Sequence, residues 1–231
     1  MTERLNGDCQ AVLFDLDGTL IDTAPDMVRI LRDMLVAYDA PDLPYARVRS
    51  VVSNGSLGLV RLGFPSASDA LLKALQQEYL DRYEADVCRD STLFPGLAEL
   101  LVALETAQHP WGIVTNKPER MTTPLVEQLG LGGRSACTVS GDTLPQRKPN
   151  PEPLWHACRL AKLDPSRTLY VGDAERDIAA GRAAGMPTLA AAYGYITEDD
   201  DPAGWGADAI AGNTQELRTL IAKAVSLTVD A

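Results

Sequence analysis

Ala11-Val12-Leu13-Phe14-Asp15-Leu16-Asp17-Gly18-Thr19 is the stretch that decides the fold. Ala11–Phe14 reads as a short buried strand, because no polar residue interrupts it and such runs suit a sheet covered on both faces. The run ends in two carboxylates separated by one leucine, and then in a Gly-Thr turn. Taken alone, Asp15 and Asp17 have a plain alternative as an Asx turn or a helix N-cap, places that Asp favours. Acidic side chains rarely adjoin an apolar run, however, unless something cationic or protic needs them there. In open α/β sheets, ligands gather outside the carboxyl ends of the strands.

Downstream the pattern recurs. Trp111–Val114, Ala136–Ser140, Thr168–Val171 and Thr188–Ala192 are expected strands, and helices are expected over 96–107, 119–129, 151–162 and 175–184. Apolar strands alternating with helices imply an α/β fold with a Rossmann-like, mostly parallel sheet. The interval between Phe14 and Trp111 is too long for one crossover, and residues 22–92 are too many for a loop. Met27, Ile30, Leu31, Met34, Leu35 and Tyr38 follow helical spacing, as do Leu71, Leu72, Leu75, Tyr79, Leu80 and Tyr83. The expected organisation is therefore a discontinuous α/β core, 1–21 and 93–231, with an inserted helical cap, 22–92. Placed directly after the carboxylate pair, such an insertion can act as a lid.

Composition narrows the partners. The chain has 231 residues, 45% of them hydrophobic, and a net charge of −11. That charge argues against nucleic acid or an anionic membrane surface as partner. Cys9, Cys88, Cys137 and Cys158 show no CxxC spacing and read as reduced thiols of a cytoplasmic protein. No signal peptide and no membrane span is expected. The expected state is a monomer or homodimer.

Three of the expected strands end in polar chemistry. The first carries Asp15 and Asp17; Gly112-Ile113-Val114 leads into Thr115-Asn116; Leu169-Tyr170-Val171 leads into Gly172-Asp173, with Asp177 nearby. Lys148 lies in the stiff run Arg147-Lys148-Pro149-Asn150-Pro151-Glu152-Pro153. Carboxylates meeting at one sheet edge repel unless a cation sits among them, and an all-oxygen set favours Mg2+. This combination reads as phosphoryl transfer. One carboxylate attacks phosphorus, a second moves the proton, and Thr115 with the lysine binds the phosphoryl oxygens. Capping of the following helices is the plain alternative for Asp173, Asp177 and Thr115.

These residues resemble, in order, the four motifs of the haloacid dehalogenase superfamily: Asp15-Leu16-Asp17-Gly18-Thr19, Thr115, Lys148 and Gly172-Asp173 with Asp177. The resemblance implies Asp15 as nucleophile and Asp17 as general acid/base. It implies phosphate binding by Thr115, its neighbour Asn116 and Lys148. Mg2+ would be held by the side chains of Asp15 and Asp173 and the backbone carbonyl of Asp17, with Asp177 orienting a metal-bound water. Ala174 departs from the pattern, since many relatives carry a hydroxyl residue there. Within the superfamily the chain is similar to the phosphoglycolate phosphatase group. Trp111–Pro118, Lys148–Pro153, Tyr193-Gly194-Tyr195-Ile196 and Trp205-Gly206-Ala207-Asp208 look especially like N-acetylmuramic acid 6-phosphate phosphatases. The implied partner is a small phosphorylated metabolite, with 2-phosphoglycolate and N-acetylmuramic acid 6-phosphate leading. Ser53-Asn54-Gly55, the most polar part of the insertion, is expected either to touch substrate or to be a plain turn.

Other features are read as structural. Arg147 and Lys117 are expected to be solvated surface charges. His109 and His156 belong to no metal-spaced cluster, and the cysteines lack a partner histidine. The run Gly204–Ala209 mimics a dinucleotide fingerprint without the flanking strand and helix that the motif needs. Glu198-Asp199-Asp200-Asp201 reads as a solvated loop. A sugar phosphomutase of the same fold would carry the same motifs. A dehalogenase would not need Asp17, and a non-catalytic relic would be expected to have lost a motif residue. For acid catalysis near neutrality, burial or like-charged neighbours would have to raise the pKa of Asp17.

Overall fold

The computed structural model describes residues 5–227. Strand β1 (Ala11–Phe14) is buried throughout and lies at the centre of a six-stranded sheet. The sheet is completed by β4 (Trp111–Val114), β5 (Thr138–Val139), β6 (Thr168–Gly172), β7 (Thr188–Ala191) and β8 (Ala209–Ala211). Their order is β5-β4-β1-β6-β7-β8, and every pairing is parallel. Val12 aligns with Trp111 on one side of β1 and with Leu169 on the other. This register brings the ends of β1, β4 and β6 to one edge. The expected Rossmann-like α/β fold is present.

Helices α5 (Leu97–Thr106), α6 (Glu119–Gln128), α7 (Glu152–Ala161) and α8 (Glu175–Ala183) match the expected ones to within two residues at each end. Three features were not expected. β5 is shorter than Ala136–Ser140, because it is an edge strand with a partner on one side only. β8 is too short to show alternation. Helix α9 (Thr214–Ala224) does carry a legible start: Asn213 Oδ1 accepts from Glu216 N–H at 2.9 Å, and Asn213 Nδ2 donates back to Glu216 Oε1. The Gly204–Ala209 run covers the end of a 3-10 turn, Pro202–Trp205, and enters β8 at Ala209, so it lacks the strand-to-helix turn of a dinucleotide fingerprint.

Four helices lie between β1 and α5: α1 (Ala24–Ala37), α2 (Tyr45–Arg49), α3 (Gly55–Gly63) and α4 (Asp69–Ala85). None joins the sheet. The insertion leaves and re-enters through a two-stranded antiparallel ribbon, β2 (Ile21–Asp22) with β3 (Thr92–Leu93). Met27, Ile30, Leu31, Met34 and Leu35 of α1 are buried, as are Leu72, Leu75, Tyr79 and Tyr83 of α4. Leu71 and Tyr38 depart from the expected faces and are 47% and 50% exposed. Leu71 lies one position off the buried stripe of α4, and Tyr38 follows the last residue of α1. No described helix is long and apolar enough to cross a membrane. The four cysteines are free thiols.

Candidate active site

Asp15 follows β1 directly, and its backbone N–H donates to Val171 O at 2.8 Å, so the strand register carries it to the sheet edge. Gly18 turns the chain with φ +82°, and a Cβ there would lie 2.2 Å from Asp173 Oδ2. A Cβ on Gly194 would lie 2.3 Å from Asp173 Cβ. Two glycines thus form a cradle that leaves the Asp173 carboxylate room beside the Asp15–Thr19 turn.

The carboxylates of Asp15, Asp173 and Asp177 are all buried and bring ligand oxygens within 4.8 Å of one another. Burial, together with the charges of Asp15 and Asp177, pushes the Asp173 carboxyl up to about 7. Burial also raises Asp177, against the pull of Lys148. Lys148 Nζ lies 2.8 Å from Asp15 Oδ1 and 2.7 Å from Asp177 Oδ1, and it donates to Val114 O and to the Tyr170 hydroxyl. Asp15 Oδ1 is nevertheless buried without an aligned hydrogen-bond donor. Three buried carboxylates, one ammonium, an orphaned oxygen and an all-oxygen donor set fit a hard divalent cation.

Each expected residue has a definite place. Thr115 is buried beside the cavity, and its Oγ1 accepts from Lys117 N–H at 3.1 Å, which leaves the hydroxyl proton free to donate. The Asn116 side chain is committed to the backbone of Lys148: Nδ2 donates to Lys148 O at 3.0 Å and Oδ1 accepts from Lys148 N–H at 3.1 Å. That amide fastens the Lys148 loop to the end of β4. Lys148 is fully buried behind Asp15 and does not line the cavity. Asp177 Oδ2 accepts from Ala174 N–H at 3.1 Å, so a carboxylate caps the start of α8 where Ala174 has no side-chain acceptor. From the insertion, Ser53, Asn54 and Gly55 line the cavity, and Ser53 Oγ donates to Asp173 Oδ2 at 2.8 Å.

The cavity measures about 660 Å3 and lies between the sheet edge and the inserted helices. Asp15, Asp17 and Thr115 form part of its floor, while Val52, Tyr79, Leu80 and Tyr83 belong to the insertion. The insertion meets the core on both sides of this space. Arg49 donates to Gly194 O at 3.1 Å and lies over the Tyr195 ring, and Tyr83 accepts from Lys117 Nζ at 2.8 Å.

One sequence expectation needs correction. Lys117 is not a solvated surface charge: its side chain is 5% exposed and its Nζ lies 2.9 Å from Asp17 Oδ1. The charged side chain paired with Asp17 is therefore a cation. Arg147 is exposed, as expected, yet it lines the cavity together with Arg176. Arg176 and Tyr83 also line the cavity. Tyr83 was read only as part of a buried stripe, and no local pattern marks either residue as facing a site.

A family profile of haloacid dehalogenase-like hydrolases matches residues 12–191. An N-acetylmuramic acid 6-phosphate phosphatase of Pseudomonas putida is 45% identical over 94% of this chain and 97% of its own length. A phosphoglycolate phosphatase of Xanthomonas campestris pv. campestris is also 45% identical, over 90% of this chain and 94% of its own. Among solved structures, a predicted phosphoglycolate phosphatase from Haemophilus somnus superposes with a TM-score of 0.81 at 26% identity, covering 92% of this chain and 98% of that one. With the profile spanning most of the sheet, and with two such relatives aligned almost end to end, the chain belongs to the haloacid dehalogenase-like hydrolases, on their phosphatase branch.

Proposed function

We propose that this phosphatase depends on Mg2+ and acts on a small phosphorylated sugar beneath a helical cap, residues 22–92, with N-acetylmuramic acid 6-phosphate preferred over 2-phosphoglycolate. The cavity supports this reading. At about 660 Å3 it falls within the roughly 300–1,000 Å3 of pockets that enclose ligands of drug size, and a glycolate ester would leave most of it to water. Its lining mixes polar Ser53, Asn54 and Gln76 with apolar Met27, Leu57, Leu80 and Met121, which suits a substituted hexose. The names of the relatives at 45% identity divide between the same two substrates.

The Asp15 and Asp173 side chains and the Asp17 carbonyl would hold the metal, and Asp177 would orient a water on it. When bound, Mg2+ supplies positive charge that offsets the phosphoryl oxygens and the carboxylates around them. Asp15 is the nucleophile: its carboxylate oxygen bonds to phosphorus as the bond from phosphorus to the leaving oxygen breaks. Asp17 donates its proton to that oxygen and then removes one from the water that hydrolyses the aspartyl-phosphate. The Thr115 hydroxyl and the backbone N–H of Asn116 bind phosphoryl oxygens. Lys148 acts from behind, holding Asp15 in place and balancing its charge against Asp177. The cap excludes bulk water while the ester is bound.

The test is phosphate release with and without Mg2+, comparing kcat/KM for N-acetylmuramic acid 6-phosphate, 2-phosphoglycolate and simple hexose phosphates. A preference of about a hundredfold for the muramic acid ester, about 2.7 kcal/mol of transition-state discrimination, is expected. An equal preference for phosphoglycolate would reverse the substrate assignment. Release that ignores Mg2+ would remove the metal from the reading.

A further inference from the structure

Lys117 is built into both halves of the molecule. Its backbone belongs to the core: its N–H donates to Thr115 Oγ1 at 3.1 Å, and its carbonyl accepts from Gly141 N–H at 2.8 Å and from the Thr122 hydroxyl at 3.1 Å. Its ammonium crosses to the cap, donating to the Tyr83 hydroxyl on α4 at 2.8 Å and lying 4.4 Å from the centroid of that ring. A second donation goes to Asp17 Oδ1 at 2.9 Å. A lysine buried to this degree is stable only because these partners replace water.

Asp17 is oriented by the same contacts. The Thr23 hydroxyl, immediately before α1, also donates to Oδ1, at 2.7 Å. Both bonds fall on one carboxylate oxygen, and among the described residues no donor reaches Oδ2. Asp17 lines the cavity, so Oδ2 is the oxygen left to exchange a proton with a substrate there.

We propose that Lys117 is a positioning residue for the acid/base carboxylate, aligning Asp17 only while Tyr83 of the cap holds its ammonium, so that cap docking and acid alignment are one event. This rests on the phosphatase reading above. In the step concerned, a bond forms from an Asp15 oxygen to phosphorus, the bond from phosphorus to the leaving oxygen breaks, and the Oδ2 proton passes to that oxygen. An aligned acid matters most when the leaving oxygen is basic and least when it departs easily without a proton.

The experiment measures kcat/KM of the full chain with Mg2+ on p-nitrophenyl phosphate and phenyl phosphate. The two differ little in shape but strongly in leaving-group basicity. A merely structural or substrate-contacting role for Lys117 would lower both equally. For Lys117→Met the expected loss is about threefold or less on p-nitrophenyl phosphate and on the order of a hundredfold on phenyl phosphate. Tyr83→Phe keeps the ring and removes the hydroxyl; it is expected to steepen the same dependence to a smaller degree. Asp17→Asn provides the reference for a missing acid. Parallel losses on both esters in Lys117→Met would overturn the proposal. Should that variant fail to melt cooperatively, an unchanged ratio in Tyr83→Phe would overturn it instead. If the unaltered chain releases phosphate neither from these esters nor from N-acetylmuramic acid 6-phosphate, it is the phosphatase reading that fails.

Discussion

Asp15 stands between a buried ammonium and the cavity. Lys148 lies 2.8 Å behind it with no exposed side-chain surface, and the carboxylate itself lines the open space. The lysine is thus placed as a fixed counter-charge to Asp15. Replacing the proposed nucleophile while preserving its shape should separate chemistry from architecture. Asp15→Asn is expected to lower kcat by about 10⁴-fold or more with a cooperative thermal transition retained. Residual turnover within about tenfold of the unaltered chain would remove Asp15 from the nucleophile role. The first carboxylate and Thr115 were legible because each follows an apolar strand directly. The job of Asn116 was not, since its amide bonds to the Lys148 backbone, remote in sequence.

At the scale of elements, one buried carboxylate links the start of the inserted helices to the chain that follows them. Asp26, on the first turn of α1, is fully buried. Its Oδ2 accepts from Ser91 Oγ at 2.6 Å, Ser91 N–H at 2.8 Å and Asp90 N–H at 3.0 Å, while Arg29 pairs with Oδ1 at 2.8 Å. The chain leaving the core is thereby tied to the chain returning to it, beside the β2–β3 ribbon. Burial works to raise the Asp26 carboxyl, but the hydrogen bonds from Ser91, Arg29 and the Asp90 N–H outweigh it, so the group lies below its ordinary value. Asp26→Ala strands these donors in a buried place, and a loss of about 3–5 kcal/mol in urea unfolding is expected. A loss under about 1 kcal/mol would show that the junction is held by packing instead. An Asp in the first turn of a helix suggests only favourable dipole interaction. Its long-range partners at residues 90 and 91 are invisible until the insertion closes on itself.

For the whole molecule, the acidic cluster is expected to shape how stability follows pH. Asp173 is raised to about 7 by burial and by its carboxylate neighbours, whereas an unfolded Asp titrates near 3.9. Between those values the folded state holds a proton that the unfolded chain has lost. This group's contribution therefore falls as pH rises from about 4 to about 7 and is flat above that. Asp26 has the opposite sign: its contribution is present above the unfolded value and is lost as pH falls through its lower folded one. Metal-free protein is thus expected to melt lower at pH 8 than at pH 5, and Mg2+ should raise Tm strongly at pH 8 and weakly at pH 5, where protons compete for the carboxylates. Asp173→Asn removes this titration and should flatten the difference. Equal Mg2+ shifts at both pH values would contradict the assignment of Asp173 to the metal.

The amino-acid sequence by itself determined the parallel α/β core and which polar residues follow its strands. Apolar runs such as Ala11–Phe14 and Leu169–Val171 encode buried strands locally, and the side chains that follow such runs emerge at one sheet edge whatever the loops do. Only the tertiary structure decided the partners of those side chains. Lys117 reads as a surface charge until α4 brings Tyr83 over it, and Ser53 reads either as a substrate contact or as a turn until the inserted helices seat it against Asp173. The physical reason is that strand propensity is a property of neighbours along the chain. The burial of a lysine or a serine, and the hydrogen bonds that make it tolerable, depend on surfaces that meet only when the inserted helices fold back across the sheet edge.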